Sequence, residues 1–295
     1  MGVAPATLQQ PRASGRVGLK PAPFDYVRAE SLEHALTALA EGGEDAKPIA
    51  GGQSLVPALA MRLVRPSLLV DLNRAGLDSV SANGALRLGA TVRQAALADD
   101  ERVHPLVRAA LPYVGHFVTR NRGTVGGSIA HADGAAELPL CLVALDGTVV
   151  VDGPDGRREI PATDFFVTHF MTTLRPGELV VETVWPLVGD ESCAFEEVAL
   201  RTGDFGQSMV CSVLTRDHSG AILRAAVAVG AVTDHPTRLG EVEELLIGSR
   251  GDETAVEAGA LAARLVDPAG SLHASARYLR SLTGTLVTRA IERAA

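Results

Sequence analysis

The 295-residue sequence is poor in cysteine, with only Cys141, Cys193 and Cys211. Their number is odd and no Cys-x-x-Cys spacing occurs, which argues against a disulfide framework, a zinc site or an iron–sulfur cluster held by this chain. Isolated cysteines of this kind are typical of a protein in a reducing compartment, so we expect a cytoplasmic location.

Long apolar runs and basic runs are also missing. No stretch approaches 18 apolar residues, and residues 1–20 contain no continuous hydrophobic segment, so we expect neither a transmembrane helix nor a secretory signal. The net charge of −8, without any Lys and Arg run, disfavours nucleic acid as a partner because phosphate backbones bind to basic surfaces. With 46% hydrophobic residues, the chain can instead bury a large core and form two or three subdomains.

The familiar nucleotide-binding motifs are absent as well. Neither GxGxxG nor GxxxxGK[ST] occurs, so a nucleotide would not be held as in a Rossmann or P-loop protein. No Ser, Cys and His arrangement indicates covalent or hydrolytic catalysis, and His131 with Asp133 supplies only two possible metal ligands. We therefore predict neither a catalytic side chain nor a metal in this chain.

What the sequence does contain is a pair of short glycine loops about seventy residues apart. They consist of Ala50, Gly51, Gly52, Gln53 and Ser54, and of Thr124, Val125, Gly126, Gly127 and Ser128. Small residues let a backbone approach a phosphate closely and direct its N–H groups at it, and a hydroxyl residue follows the glycines in each loop. Either loop alone could be only a tight turn, but the pair predicts a diphosphate held from two sides.

Hydrophobic periodicity predicts alternating helices and strands around the loops and a different pattern after them. Strands are expected at 48–50, 68–72, 85–90, 148–151 and 179–184, and helices after Ser31, at 55–62, after a cap at Thr91, at 104–113 and at 138–145. Beyond 186–190, three strands (194–200, 208–215, 223–232) precede three helices (238–247, 252–265, 272–293), which predicts an α+β module. The predicted organisation is a loose tail at 1–20, a domain at 21–188 divided near residue 78, and a C-terminal domain at 189–295.

The second loop lies within the string TRNRGTVGGSIAHADGAAELP, residues 119–139. With the first loop, this string closely resembles the FAD-binding medium subunit of the molybdenum hydroxylases, the family that includes carbon monoxide dehydrogenase and xanthine dehydrogenase. The resemblance runs from about residue 21 to residue 295. It implies the two-subdomain FAD-binding fold of the PCMH and vanillyl-alcohol-oxidase type, with FAD between two αβ subdomains, followed by an α+β domain with a three-stranded antiparallel sheet and helices.

The same resemblance assigns the FAD diphosphate to the two loops, 50–54 and 124–128. Many relatives have His where this chain has Gln53, a change that leaves the backbone's role intact. Glu137 matches an acidic position whose side chain contacts FAD, although by itself it could be a surface carboxylate at a helix start. Val180 matches a position that offers a backbone group to the flavin ring.

Glu196 and Glu197 stand where relatives often have Lys near the flavin, so neither receives a cofactor role. The resemblance further implies an electron-transfer subunit that passes electrons from a small [2Fe–2S] subunit through FAD to an external acceptor. Molybdopterin would lie in a large partner subunit, within a dimer of heterotrimers. Two alternatives stay open at this point: a stand-alone FAD-dependent reductase of the same fold, and a nucleotide-binding module without redox activity.

Overall fold

A computed structural model describes residues 20–251 and 254–294, so the predicted N-terminal tail lies outside the described residues except for Lys20. The first unit of the fold is a three-stranded parallel sheet in the order β1-β3-β2. Its elements are β1 (Asp25–Arg28), α1 (Leu32–Gly42), β2 (Ala46–Ile49), α2 (Leu55–Ala60) and β3 (Leu68–Asp71). Ser31 caps α1 as predicted, accepting a hydrogen bond from the His34 N–H at 3.0 Å. The first glycine loop therefore follows the carboxyl end of a parallel strand and leads into a helix.

The second unit is a five-stranded antiparallel sheet in the order β4-β5-β10-β6-β7 with helices around it. Its elements are β4 (Val80–Ala82), β5 (Leu86–Gly89), α3 (Pro105–Ala110), α4 (Phe117–Arg122), α5 (Val125–His131), α6 (Glu137–Ala144), β6 (Thr148–Asp152), β7 (Arg158–Pro161), α7 (Ala162–Phe165), β8 (Phe166–Thr168), β9 (Met171–Thr172) and β10 (Leu179–Trp185). The predicted cap at Thr91 is wrong. Thr91 is buried, its N–H donates to the Leu77 carbonyl at 2.9 Å, and only a 3-10 helix, Gln94–Leu97, follows.

The third unit is an antiparallel sheet in the order β11-β12-β13-β14, with three helices after it. Its elements are β11 (Ser192–Ala199), β12 (Gly206–Arg216), β13 (Ile222–Gly230), β14 (Thr237–Arg238), α8 (Gly240–Leu246), α9 (Ala255–Leu265) and α10 (Ala276–Arg293). The prediction of three strands followed by helices is confirmed, with one correction. A fourth strand, β14, is only two residues long, which is too short to produce a readable alternation. The first two residues of the predicted helix at 252–265 lie outside the described residues.

The strand β12 belongs to two hydrophobic cores at once. Met209 and Cys211 face the core shared with the second unit, whereas Val210 and Leu214 face the core under the C-terminal helices. On the first of these faces lies α6, whose eight residues are all buried. The Sγ atoms of Cys141 on α6 and Cys211 on β12 are 4.0 Å apart across this contact. Among the described residues, no helix is long and apolar enough to cross a membrane.

Candidate functional site

The fold brings the first glycine loop into direct backbone contact with Arg122 and Gly123, which directly precede the second loop. A Cβ atom added to Gly51 would lie 2.3 Å from the carbonyl oxygen of Arg122 and 2.9 Å from the Cα of Gly123. On the other side of the contact, a Cβ on Gly127 would lie 4.0 Å from the Cβ of Ala50. Glycine is required at position 51 because no side chain fits between the two loops.

The first loop presents backbone N–H groups that have no partner within the protein. Among residues 20–251 and 254–294, no acceptor receives the N–H groups of residues 51–54, although the Gln53 side chain donates to the Gly51 carbonyl at 3.0 Å. Gly52 has φ +71°, a left-handed conformation that glycine adopts without strain, and it turns the chain from β2 into α2. Adjacent unpaired N–H groups at the start of a helix are suited to bind a phosphate.

The second predicted loop is the start of a helix: Thr124 caps α5 and residues 125–128 form its first turn, whose N–H groups are all hydrogen-bonded within the protein. These hydrogen bonds run from Val125 to the Val92 carbonyl (2.9 Å), from Gly126 to the Ala90 carbonyl (3.0 Å), from Gly127 to the Thr124 side-chain oxygen (3.1 Å) and from Ser128 to the Thr124 carbonyl (3.1 Å). Among the described residues, free N–H groups of the kind expected for both loops are therefore found in the first loop only. The second loop can contribute the Ser128 hydroxyl and the positive end of α5.

Glu137 begins α6, as expected, but the alternative interpretation as a surface carboxylate is wrong. The residue is only 7% exposed, and α6 packs against α5 and against β12 and β13 of the C-terminal sheet. Burial raises the pKa of Glu137 to about 7; its own N–H and the charge of Arg120 oppose the rise, and Asp133 adds to it. At neutral pH this carboxyl group is therefore divided between its neutral and charged forms.

A half-buried carboxyl group on β11, Glu197, which sequence reasoning left without a role, lies close enough to Glu137 for their charges to interact. Burial, with a smaller contribution from the charge of Glu137, raises the pKa of Glu197 to about 8. Its Oε2 is shielded from solvent and has no hydrogen-bond partner among the described residues. Its neighbour Glu196 forms an ion pair with Arg293 of α10, because adjacent residues of a strand point to opposite faces. The sequence pattern could have indicated this location, because side chains alternate along β11 and Glu197 lies on the same face as Phe195, which packs in the first core.

Val180 lies on β10, and the next residue of that strand, Val181, is linked to the second loop through Ala90. The pairing of β10 with β6 is irregular between Val180 and Glu182, so Val181 leaves the regular ladder. The carbonyl of Val181 accepts from the Ala90 N–H at 2.9 Å, and the Ala90 carbonyl in turn accepts from Gly126 at 3.0 Å. The strand that carries Val180 is thus joined to the second loop by two successive hydrogen bonds.

Two family matches divide the chain between them. Residues 22–188 match the FAD binding domain in molybdopterin dehydrogenase, and residues 193–294 match the CO dehydrogenase flavoprotein C-terminal domain. The chain therefore belongs to the family of FAD-binding medium subunits of the molybdenum hydroxylases. The resemblance inferred from the glycine loops is confirmed, as are the fold class and FAD as the cofactor of the domain.

Individual relatives are similar to this chain over nearly its whole length. The alpha subunit of the 6-hydroxypseudooxynicotine dehydrogenase complex from Paenarthrobacter nicotinovorans is 42% identical, covering 94% of this chain and 96% of its own length. The carbon monoxide dehydrogenase medium chain of Hydrogenophaga pseudoflava is 32% identical, covering 93% and 98%. Among solved structures, quinoline 2-oxidoreductase from Pseudomonas putida 86 superposes with a TM-score of 0.88 at 35% identity, covering 93% of this chain and 98% of the other. The chain is accordingly a subunit of an oxidoreductase.

Proposed function

We propose that this chain binds FAD non-covalently and serves as the electron-transfer subunit of a molybdenum hydroxylase, taking electrons from a [2Fe–2S] subunit and delivering them to an external acceptor. The observation that carries the proposal is the close approach of the two glycine segments in a chain of this family, the first of them with N–H groups that find no acceptor among residues 20–251 and 254–294. FAD would supply the redox chemistry itself, since a flavin exchanges electrons one or two at a time.

The residues of this chain would bind and orient the cofactor. In the proposed site, Gly51, Gly52, Gln53 and Ser54 offer backbone N–H groups to the diphosphate, and Ala50 sets the start of that loop. The second loop, 124–128, forms the opposite wall with a hydroxyl group and a helix start. The proposal keeps Glu137 as a side-chain contact.

Val180 is kept as a backbone contact to the ring. Because this strand is hydrogen-bonded to the second loop through Ala90, a ring placed there would be continuous with a diphosphate at the loops. This continuity supports assigning both positions to one bound dinucleotide.

The proposed partners are a large molybdopterin-binding subunit and a small [2Fe–2S] subunit, in a dimer of heterotrimers. Two relatives are named as a complex subunit and as a medium chain, which supports an assembly of several chains. The cysteines support it too: all three are free thiols on separate elements, so they could not hold two clusters. Free thiols also support the proposed cytoplasmic location.

The test is reconstitution of the purified chain with FAD, followed by its visible spectrum and by identification of the proteins that co-purify with it. We expect flavin absorption near ~450 nm that persists through gel filtration, and two partner chains. Absence of bound flavin after reconstitution would contradict the FAD proposal. A flavin-containing monomer that turns over a substrate without partners would instead favour the stand-alone reductase.

A further inference from the structure

We propose that Arg93 and Asn73 form a side-chain bridge that positions the two glycine loops against each other. Arg93 is a positioning residue in this proposal and does not itself contact the cofactor. The consequence for FAD affinity rests on the function proposed above, whereas the bridge is a property of the protein chain alone and can be tested without FAD.

The guanidinium group of Arg93 reaches the second loop on one side and Asn73 on the other. Its Nη1 donates to the carbonyl oxygen of Arg122, the last residue of α4, two positions before the second loop. Its Nη2 donates to Oδ1 of Asn73 at 2.5 Å. Because the guanidinium is planar and rigid, two donors engaged on different segments fix the separation between those segments.

Asn73 continues the bridge to the first loop. Its Nδ2 donates to the Ala50 carbonyl at 3.0 Å and to Oδ1 of Asp71 at 2.5 Å. Asp71, at the end of β3, also accepts from the Asn73 backbone N–H at 2.9 Å and from the Tyr26 hydroxyl. Burial opposes a charge on Asp71, but the hydrogen bonds from Tyr26 and Asn73 outweigh it and lower the pKa of the carboxyl group. The bridge is therefore anchored on the first sheet by a stable carboxylate.

The bridge is the polar link that the loops otherwise lack. Within the described parts of the chain, no backbone hydrogen bond joins residues 50–54 to residues 122–128, which meet by packing at Gly51 and, less closely, between Ala50 and Gly127. Packing keeps two segments from approaching further, but it does not keep them from separating. Hydrogen bonds from a charged donor supply that restraint.

Direct binding of a phosphate by Arg93 is the competing role, and the geometry disfavours it. Both terminal nitrogens of the guanidinium already donate to protein oxygens. Burial, together with the nearby charge of Arg122, lowers the pKa of Arg93, as expected for a group tucked between segments of the protein. These two bonds already orient the guanidinium toward protein oxygens, and a phosphate would have only its remaining N–H groups to pair with.

The experiment compares Arg93→Ala, Arg93→Lys, Asn73→Ala and the double alanine variant. Arg102→Ala is the matched control, because Arg102 is an exposed arginine whose side chain pairs only with Asp100. Amide hydrogen exchange of the FAD-free protein is measured at the hydrogen-bonded N–H groups of residues 123–128, and at Val56 and Ala58, whose N–H groups donate to the Gly52 and Ser54 carbonyls of the first loop. The Kd for FAD is measured by fluorescence. We expect faster exchange at both sets of N–H groups for each bridge variant, and an FAD affinity about tenfold weaker or more.

Two comparisons separate bridging from charge alone. Lysine keeps the charge but cannot span both oxygens, so Arg93→Lys should lose most of the affinity for FAD. The double alanine variant should bind FAD no more weakly than whichever single alanine variant binds it less tightly. Guanidinium ion, added below denaturing concentrations, should partly restore Arg93→Ala, because a surface cleft of about 230 Å³ lined by Asn73 and Arg93 gives it access.

The proposal is overturned if Arg93→Ala and Asn73→Ala leave exchange at residues 123–128, Val56 and Ala58 at the wild-type rate. It is also overturned if Arg93→Lys binds FAD normally while Asn73→Ala has no effect, which would assign Arg93 to direct charge interaction. Failure of the wild-type chain to bind FAD would count against the proposed function, and the exchange measurement would still decide on the bridge.

Discussion

Replacing Gly51 with alanine tests whether contact between the two loops is needed to hold FAD. The new Cβ would lie 2.3 Å from the Arg122 carbonyl oxygen, whereas ordinary contact begins at 3.4 Å, so the loops must separate by about 1 Å. Both obstacles are backbone atoms, Arg122 O and Gly123 Cα, which cannot turn aside as a side chain would. Overpacking of this kind costs about 1–3 kcal/mol, and if the loops relieve it by separating, FAD affinity should fall roughly 5- to 150-fold.

The assay is the Kd for FAD of Gly51→Ala beside that of Gly240→Ala, together with the thermal unfolding midpoint of each FAD-free protein. Gly240 is the matched control because a Cβ there meets no atom within 4 Å and its φ is not positive. We expect a folded Gly51→Ala protein with weak FAD binding and a control that behaves as wild type. Wild-type affinity in folded Gly51→Ala would refute the argument that the loop contact forms the site.

Three further outcomes are expected. Gly52→Val and Gly127→Val should both retain the fold but lose FAD on gel filtration. Position 52 has φ +71°, and a Cβ at position 127 would lie 2.6 Å from the Thr124 hydroxyl that caps α5. Flavin content equal to wild type in both variants would mean that the loops are only turns. The free energy of unfolding of the FAD-free protein should fall as pH rises from about 4.5 to about 8. The folded state keeps protons on Glu137 and Glu197 up to pKa values of about 7 and about 8, whereas the unfolded chain loses these protons near 4.5. Denaturant unfolding across this range should show a weaker pH dependence for Glu197→Gln, and an unchanged dependence would contradict the assignment. Tyr26→Phe should raise the pKa of Asp71 and weaken FAD binding less than Asn73→Ala does, because it removes only the outermost bond of the bridge; equal losses on titration would count against that order of contacts.

The sequence predicted those parts of the site that depend on local backbone chemistry. Gly51 and Gly52 were recognised because a backbone turn or close approach requires glycine, and both requirements are present in the structure. The close approach at Gly51, however, is made to the other loop. A single sequence cannot indicate which backbone a glycine will meet, since the partner lies about seventy residues away.

The sequence could not predict the environment of isolated polar side chains. Nothing around Asn73 or Arg93 forms a motif, and their roles arise only because the end of β3, the 3-10 helix after β5 and the end of α4 converge. Glu137 was expected at a helix start, which is a local property, whereas its burial depends on the C-terminal sheet. The two-residue strand β14 was missed for the related reason that its pairing with β13, not its own pattern, defines it.

The contact between α6 and β12 contains two cysteines whose reactivity can be used to measure how often the two domains separate. Cys141 and Cys211 lie on opposite sides of that seam, both with 0% exposure, and burial raises the pKa of Cys211 well above its usual range. An alkylating reagent reacts with the thiolate form, which burial disfavours, and it can reach these two groups only when α6 and β12 separate transiently. The rate of their modification would report how often the C-terminal sheet lifts from the FAD-binding domain, with no label introduced into the protein.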